Sequence, residues 1–228
     1  MNDARTLWQL FRGMPAEVNH AHRLQGFYAA QAADYDRFRE RLLPGRAELM
    51  EWLQPEPGER IVELGAGTGR NPEFFRTRVP ALKNLTLVDL CPALLAKAHE
   101  RWADSSNVLI IEADACIWRP AEPVDAVYFS YALTMIPDWR AALENALAML
   151  RPGGRLAVVD FTLTRHQSRL AKHFWHKWFS HDGVNLNQQH TEMLTGLLPF
   201  YELREYRTQI PYLPGLSVPY YLYSGIKG

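Results

Sequence analysis

The residues whose types and spacing can do chemistry fall in three short stretches. The first is Glu63-Leu-Gly65-Ala66-Gly67-Thr68-Gly69, which grows out of an apolar run of Ile61, Val62 and Leu64. Glycines at this spacing let backbone approach a ligand closely, because no Cβ stands in the way. The second is Asp89, 24 residues beyond Gly65, at the end of the apolar run Leu85 to Val88. An acid at that distance is placed to accept hydrogen bonds from both hydroxyls of a ribose. The third is Asp114, in the acidic turn Glu112-Ala-Asp-Ala115 that closes a further run, Val108 to Ile111.

The glycine pattern discriminates among ligands. A dinucleotide fingerprint reads G-x-G-x-x-G, with its last glycine packing helix on strand beneath a pyrophosphate. Here the third glycine comes one position early and Arg70 stands where that fingerprint has glycine. A Gly-Lys-Ser/Thr phosphate loop is absent as well. Glu63 would set like charge against a phosphate, so a cationic ligand suits the crevice better. The competing reading is a plain tight turn between strand and helix.

These residues need a scaffold that brings strand ends together. Short apolar runs alternating with helical patterns predict an open α/β sheet, with ligands bound at the carboxyl ends of the strands. The strands expected are 61–64, 85–88, 108–111, 124–129 and 156–161, the last carrying Asp160 near its end. Helices are expected from Pro72, over 93–103 and over 138–150, the last stopped by Arg151-Pro-Gly-Gly154. Ahead of the first strand, residues 3 to 54 read as helical. One segment runs from Ala21 to Arg41, where Tyr28 and Tyr35 lie seven apart on one helix face, and another from Leu42 to Leu53. Those tyrosines read equally as core or as an aromatic lid over the crevice. At the other end, 201–207 and 218–226 flank Pro211-Tyr-Leu-Pro-Gly215 and predict an antiparallel hairpin, with Tyr220, Tyr221 and Tyr223 as strand residues.

Composition excludes several classes. The chain of 228 residues, 47% hydrophobic and 22% charged, is expected to form one domain throughout 1–228. Formal net charge is +0, so no electrostatic case for nucleic acid exists. Cys91 and Cys116 offer neither zinc spacing nor a disulfide frame. No signal-peptide pattern and no 18-residue apolar run occur, and a cytoplasmic location is the expectation.

The ordered landmarks Glu63-Leu-Gly-Ala-Gly-Thr-Gly69, Asp89, Asp114 and Leu150-Arg-Pro-Gly-Gly-Arg155 resemble the class I S-adenosylmethionine-dependent methyltransferases over about residues 58 to 162. The resemblance implies a Rossmann-like, seven-stranded, mainly parallel sheet with an antiparallel C-terminal hairpin. It further implies an N-terminal helical lid over 1–57, a cofactor core over 58–162 and substrate-side helices with the hairpin over 163–228. The cofactor-binding residues it implies are Tyr35, Glu63, Gly65, Ala66, Gly67, Thr68, Gly69, Asp89, Leu90, Asp114, Ala115 and Ser130. Among them Asp89 would hold the ribose, Asp114 would read the adenine amino group, and Ser130 with Tyr131 would border the sulfonium.

Outside the core, Leu24-Gln-Gly-Phe-Tyr28, Gln31 to Arg46, Ser130 to Trp139 and Phe174 to Val184 resemble the methyltransferase component of bacterial betaine-lipid synthases. That resemblance implies three methyl transfers to the amine of diacylglyceryl-homoserine, giving diacylglyceryl-trimethylhomoserine. It also implies a partner enzyme that makes the acceptor. Tyr28, Tyr35 and Tyr131 are then the candidate catalytic wall, since aromatic faces attract a quaternary ammonium. Arg165, Lys177 and His181 are candidates for the acceptor's carboxylate. Rival functions are methylation of phosphatidylethanolamine, a quinone or another small molecule, and a non-catalytic cofactor-binding partner.

One segment invites two further expectations. His166, His173, His176 and His181 crowd residues 164 to 183, but without acidic or cysteine partners at ligand spacing beyond Asp182, so no metal is expected. The same segment is amphipathic, with Leu170, Ala171, Phe174, Trp175 and Trp178 on one face. That stripe reads either as a helix lying on a membrane surface or as one closing the core.

Overall fold

In the computed structural model, the structure describes residues 42–163, 173, 175, 179, 184–209 and 215–228. Residues 1–41 of the expected N-terminal lid, with Tyr28 and Tyr35, the acceptor candidates Arg165, Lys177 and His181, and most of the 164–183 segment lie outside the described residues.

Strand β1 (Arg60–Leu64) is the third strand of a seven-stranded sheet. It is flanked by β2 (Asn84–Asp89) and then β3 (Val108–Glu112) on one side. On the other stand β4 (Val124–Ser130), β5 (Leu150–Phe161), β7 (Ser217–Ile226) and β6 (Phe200–Gln209). β1 to β5 run parallel, and β7 is antiparallel to both of its neighbours. This is the α/β architecture expected from the sequence, hairpin included.

The central strands are apolar at nearly every position because both sheet faces are covered. Ile61, Leu85, Leu87, Tyr128 and Val159 face one core, shared with Leu49 and Leu53 of helix α1 (Arg46–Leu53) and with Phe75 and Trp102. Val62, Leu64, Val127, Phe129 and Val158 face the other. That second core is closed by α3 (Trp139–Met149) through Ala142, Leu143 and Ala146, and by α4 (Gln189–Leu197) through Leu194. Helix α2 (Pro92–Arg101) packs Ala98 beside Leu87 and Gly69. The sequence patterns had not singled out α4.

Three elements differ from expectation. The helix awaited after the glycines is replaced by two short 3₁₀ turns, Asn71–Phe75 and Val79–Ala81. Pro80 removes a donor that a continuous helix would need. The Asn107 amide instead closes this turn by donating to Val79 O (2.7 Å) and Leu82 O (3.1 Å). α1 begins only at Arg46, after a turn at Pro44-Gly45 in which Gly45 has φ +74°. β5 starts at Leu150 and not Leu156, because a register shift opposite Val124 and Ala126 carries Pro152 to Gly154 along the sheet. There Gly153 N donates to Lys227 O (2.7 Å).

A charged clasp ties α1 to the sheet below the site. Arg155 Nη2 reaches both Glu59 oxygens (2.8 and 2.6 Å) while its Nε donates to Leu53 O (3.1 Å). Glu59 is buried, so removing its charge strands a guanidinium that is itself mostly covered. Glu59→Gln is expected to lower unfolding free energy by about 1–3 kcal/mol, read as a shifted urea midpoint with unchanged m-value.

Candidate active site

The carboxyl ends of β1 to β4 and the loops leaving them form the site. β1 turns out of the sheet through Gly65, Gly67 and Gly69, all at positive φ (75°, 56° and 63°). Gly65 N and Ala66 N both donate to Val88 O (2.9 and 3.0 Å), holding the loop on the end of β2. A Cβ at Gly65 would overlap the Ala132 side chain. One at Gly69 would come within 2.9 Å of Leu87 Cδ1 and 3.1 Å of Trp102 Nε1. Among the described residues, a Cβ at Gly67 would meet nothing nearer than Leu94 Cδ1 at 3.8 Å, so the middle of the loop is open toward them. Ala66 and Thr68 are buried beneath it.

Asp89 is built into this loop. Its Oδ2 accepts from Gly67 N and its Oδ1 from Cys91 N, both at 2.8 Å. Asp114 repeats half the arrangement, accepting from Cys116 N at 2.8 Å through Oδ1. Ala113 N donates to Asp89 O (3.1 Å), so the two acids stand on adjoining strand ends. Both are half-buried, as is Leu90, whereas Ala115 is buried. The Asp114 turn is held from α3, because Asn145 Nδ2 donates to Ala115 O and Trp118 O (2.8 Å each).

Glu63 lies lower than the crevice-facing expectation placed it. It is 0% exposed, accepting from Asn71 Nδ2 at 2.5 Å and from the Tyr128 hydroxyl at 2.8 Å. Arg46 Nη1 backs Asn71 at 3.4 Å. Burial pushes the Glu63 carboxyl up to about 8, aided by nearby Asp89 and opposed by its two hydrogen bonds and by Arg46. Without a ligand it is therefore largely protonated at neutral pH. The negative charge that faces the crevice comes from Asp89 and Asp114.

At the end of β4, Ser130 is buried and its Oγ has no hydrogen-bond partner among the described residues. Tyr131 follows at φ +54°, its N bonded to Val159 O (2.8 Å) and its hydroxyl donated to Pro44 O (2.7 Å). Burial holds that phenol well above its ordinary range, so it stays neutral and presents a ring face. The ring lies 4.7 Å from Phe161, which is 5.1 Å from Phe179, itself 5.8 Å from Trp175.

Trp175 settles one of the two readings of the amphipathic stripe at its own position. It is 3% exposed and belongs to the core, so this tryptophan is not an anchor for a membrane. Its ring lies against Phe179 (5.8 Å, tilted), which in turn meets Phe161. Among the described residues, no helix is long and apolar enough to cross a membrane.

Two more side chains carry structural weight here: Asp160, noted in the sequence near the end of its strand, and His190, which no sequence pattern singled out. Asp160 Oδ1 accepts from Thr134 Oγ1 and Phe161 N (2.8 Å each) and Oδ2 from Thr134 N (3.1 Å), clamping the β4 loop to β5. Burial raises its carboxyl to about 6 against those hydrogen bonds. His190 lies fully buried, 4.4 Å edge-on to Trp139, and desolvation lowers it to about 4. No local motif gives the partner of either, since each depends on a contact distant in sequence.

The profile of a family described as "Methyltransferase domain" matches residues 30–196. The chain belongs to that family. It is a class I S-adenosylmethionine-dependent methyltransferase domain. Relatives include trans-aconitate 2-methyltransferase of Klebsiella pneumoniae, 34% identical over 119 residues, which span 52% of this chain and 45% of that one. Ubiquinone/menaquinone biosynthesis C-methyltransferase UbiE of Cereibacter sphaeroides is 26% identical over 166 residues, 67% of this chain and 64% of its own. The chain thus spans less than two thirds of the length of these curated relatives. Among solved structures, phosphoethanolamine N-methyltransferase 2 of Haemonchus contortus, in complex with S-adenosyl-L-methionine, shares the fold at TM-score 0.71 and 15% identity. That likeness covers 93% of this chain and 60% of the other. N-methyltransferase NodS of Bradyrhizobium japonicum, with S-adenosyl-L-homocysteine, does so at TM-score 0.58 and 20% identity, covering 85% and 86%. The open side of Gly67, the orphaned Ser130 Oγ and the paired acids on adjoining strand ends suit the methyltransferase cofactor.

The buried Glu63 makes a prediction about pH. Its carboxyl binds a proton more tightly in the folded than in the unfolded state, so its stabilisation is full below about pH 4.5. It is lost as pH rises through about 8. Asp160 acts in the same sense only up to about 6, and His190, depressed, acts oppositely from about 4 to 6.5. Between pH 6.5 and 8 the ligand-free protein should therefore lose about 2 kcal/mol through Glu63 alone. Urea titrations should show this slope in the parent and not in Glu63→Gln.

Proposed function

We propose that the chain adds three methyl groups to the amine of diacylglyceryl-homoserine, giving diacylglyceryl-trimethylhomoserine. The observation that carries this reading is Tyr131, which follows Ser130 at the carboxyl edge of the sheet and is backed from the core by a row of rings, Phe161, Phe179 and Trp175. A ring face there suits an amine that ends as a quaternary ammonium. The resemblance of residues 20 to 228 to betaine-lipid methyltransferases names the acceptor. A partner enzyme would supply that acceptor, and the site would meet it at a membrane face.

When bound, S-adenosylmethionine supplies an electrophilic methyl group on a sulfonium. The chain's part is to hold and orient. In this reading Asp89 receives the ribose hydroxyls, Asp114 the adenine amino group, and the backbone from Gly65 to Gly69 the methionine portion. Ser130 and Tyr131 border the place of transfer. Tyr131, kept neutral and tied to Pro44, is a wall and not a base. In-line transfer to a neutral amine draws most of its acceleration from such alignment, with little acid–base machinery. Tyr28 and Tyr35 complete the wall in this proposal.

The acceptor is tested by incubating the protein with labelled S-adenosylmethionine and mixed micelles of diacylglyceryl-homoserine, with phosphatidylethanolamine, soluble amines and trans-aconitate as rivals. The expected result is stepwise label in mono-, di- and trimethylated diacylglyceryl-homoserine. Preference for any rival overturns the assignment, and binding of cofactor with no transfer to any acceptor points to a non-catalytic role.

The cofactor pose yields a separate expectation. Asp89→Ala removes the ribose acceptor and also frees Gly67 N, each charge-assisted bond being worth about 1.5–3 kcal/mol. Affinity for S-adenosylhomocysteine should fall at least about tenfold by calorimetry, while Asp89→Asn, which keeps one loop contact, should lose less. Equal affinity in all three proteins would remove Asp89 from the site.

A further inference from the structure

Strand β6 ends the sheet, and among the described residues no strand lies on its outer side. An edge offers a row of unpaired backbone groups, which proteins ordinarily blunt with short strands, lysine, proline or a bulge. β3, the opposite edge, is five residues long. β6 is ten residues long, Phe-Tyr-Glu-Leu-Arg-Glu-Tyr-Arg-Thr-Gln, and contains no lysine, proline or glycine. Its pairing with β7 runs from Phe200 opposite Ile226 to Gln209 opposite Ser217 with no slip. Phe200 is 71% exposed and Tyr201 47%.

We propose that the occupant of this edge is β6 of a second copy, paired antiparallel about a twofold axis through Leu203. A twofold that continues a sheet stands perpendicular to it, so each face is preserved and opposed residues must lie on the same face. The axis therefore passes through a residue and not between two. Centred on Glu202, Arg204 or Glu205, the pairing sets like charges against each other at the axis, which is unfavourable. Centred on Tyr206 it leaves Phe200 and Tyr201 uncovered. Centred on Leu203 it opposes Leu203 with itself, Glu202 with Arg204 twice over, and Phe200 with Tyr206.

The charges are already laid out for this register. Glu202 and Arg204 pair within one chain and are each about half exposed (53% and 51%). Arg204 is steadied by Glu48 at 3.5 Å and lies over the Trp52 ring at 4.8 Å. Two such pairs across the axis make a square in which every neighbour is opposite in sign. Tyr206 is fixed for its part by stacking on Tyr220 (5.3 Å) and by donating its hydroxyl to Glu48 (2.7 Å). The result is one sheet of fourteen strands, twice the seven of one chain, with both crevices outside the joint.

Sedimentation of the whole chain should give roughly twice 26.2 kDa. Arg204→Glu, which opposes glutamates in this register, should shift it to monomer with a near-parental melt. Glu202→Arg combined with Arg204→Glu should restore the dimer. Leu203→Cys should cross-link to a covalent dimer under mild oxidation, because residues facing each other across the axis fall within disulfide reach, whereas Thr208→Cys should not. A parent that sediments as monomer at high concentration overturns the proposal. So does a dimer that survives Arg204→Glu and fails to cross-link through residue 203.

Discussion

The carboxylate of Asp89 holds two backbone amides that belong to different elements, Gly67 N in the loop after β1 and Cys91 N at the start of α2. Everything at the site depends on that bridge. A loop with three residues at positive φ has little of its own to resist collapse, and its fixed points include Val88 O below, Asp89 beside it, and Arg101 and Trp102, which donate to Thr68 O and Gly69 O. The same device recurs along the sheet edge. Asp114 gathers Cys116 N after β3, and Asp160 gathers Thr134 N and Phe161 N at β5. Strand ends leave amide groups without partners, and a short acidic side chain satisfies them locally.

Using carboxylates as brackets makes the edge electronegative, which has a cost and a use. The cost falls on the deepest member. Glu63 sits near Asp89 in a buried place, and its proton is retained to about 8 although Asn71 and Tyr128 donate to it. Desolvation outweighs two hydrogen bonds there, as it does more weakly for Asp160. The use is selectivity. Half-buried Asp89 and Asp114 repel phosphate and attract a cationic ligand, and a neutral Glu63 beneath them limits the mutual repulsion that a third full charge would add.

Much of this was legible in the sequence because it is local. The glycine spacing, Asp89 and Asp114 each lie within a few residues of the apolar run that positions them, so strand, turn and acid could be placed together. The sheet followed from the alternation of such runs. What stayed hidden is contact across distance. Asp160 reaches back 26 residues to Thr134, and Glu63 forward 65 to Tyr128. The segment after Gly69 misled for a different reason. Its pattern of apolar residues is helical, but Pro80 and the reach of Asn107 impose 3₁₀ turns. Trp175 shows the same limit from the other side. An amphipathic stripe states that a face will be buried without stating against what, and here Trp175 lies against Phe179 in the core.

The sheet thus divides its carboxyl edge between two chemistries. From β3 to β1 the edge is made of carboxylates and bare backbone, a surface for polar groups and positive charge. From β4 to β7 the same face carries rings, Tyr131 just after β4, Phe161 on β5 and Tyr220 on β7, with the Asp160 carboxylate buried beneath them. The border falls at Ser130 and Tyr131, where the chain takes φ +54° and the phenol is anchored to Pro44. That anchor matters because it comes from the turn before α1. The same turn places Arg46 behind Asn71, and thus behind Glu63. A single short segment ahead of the sheet therefore braces both halves, the acidic one through Arg46 and the aromatic one through Pro44.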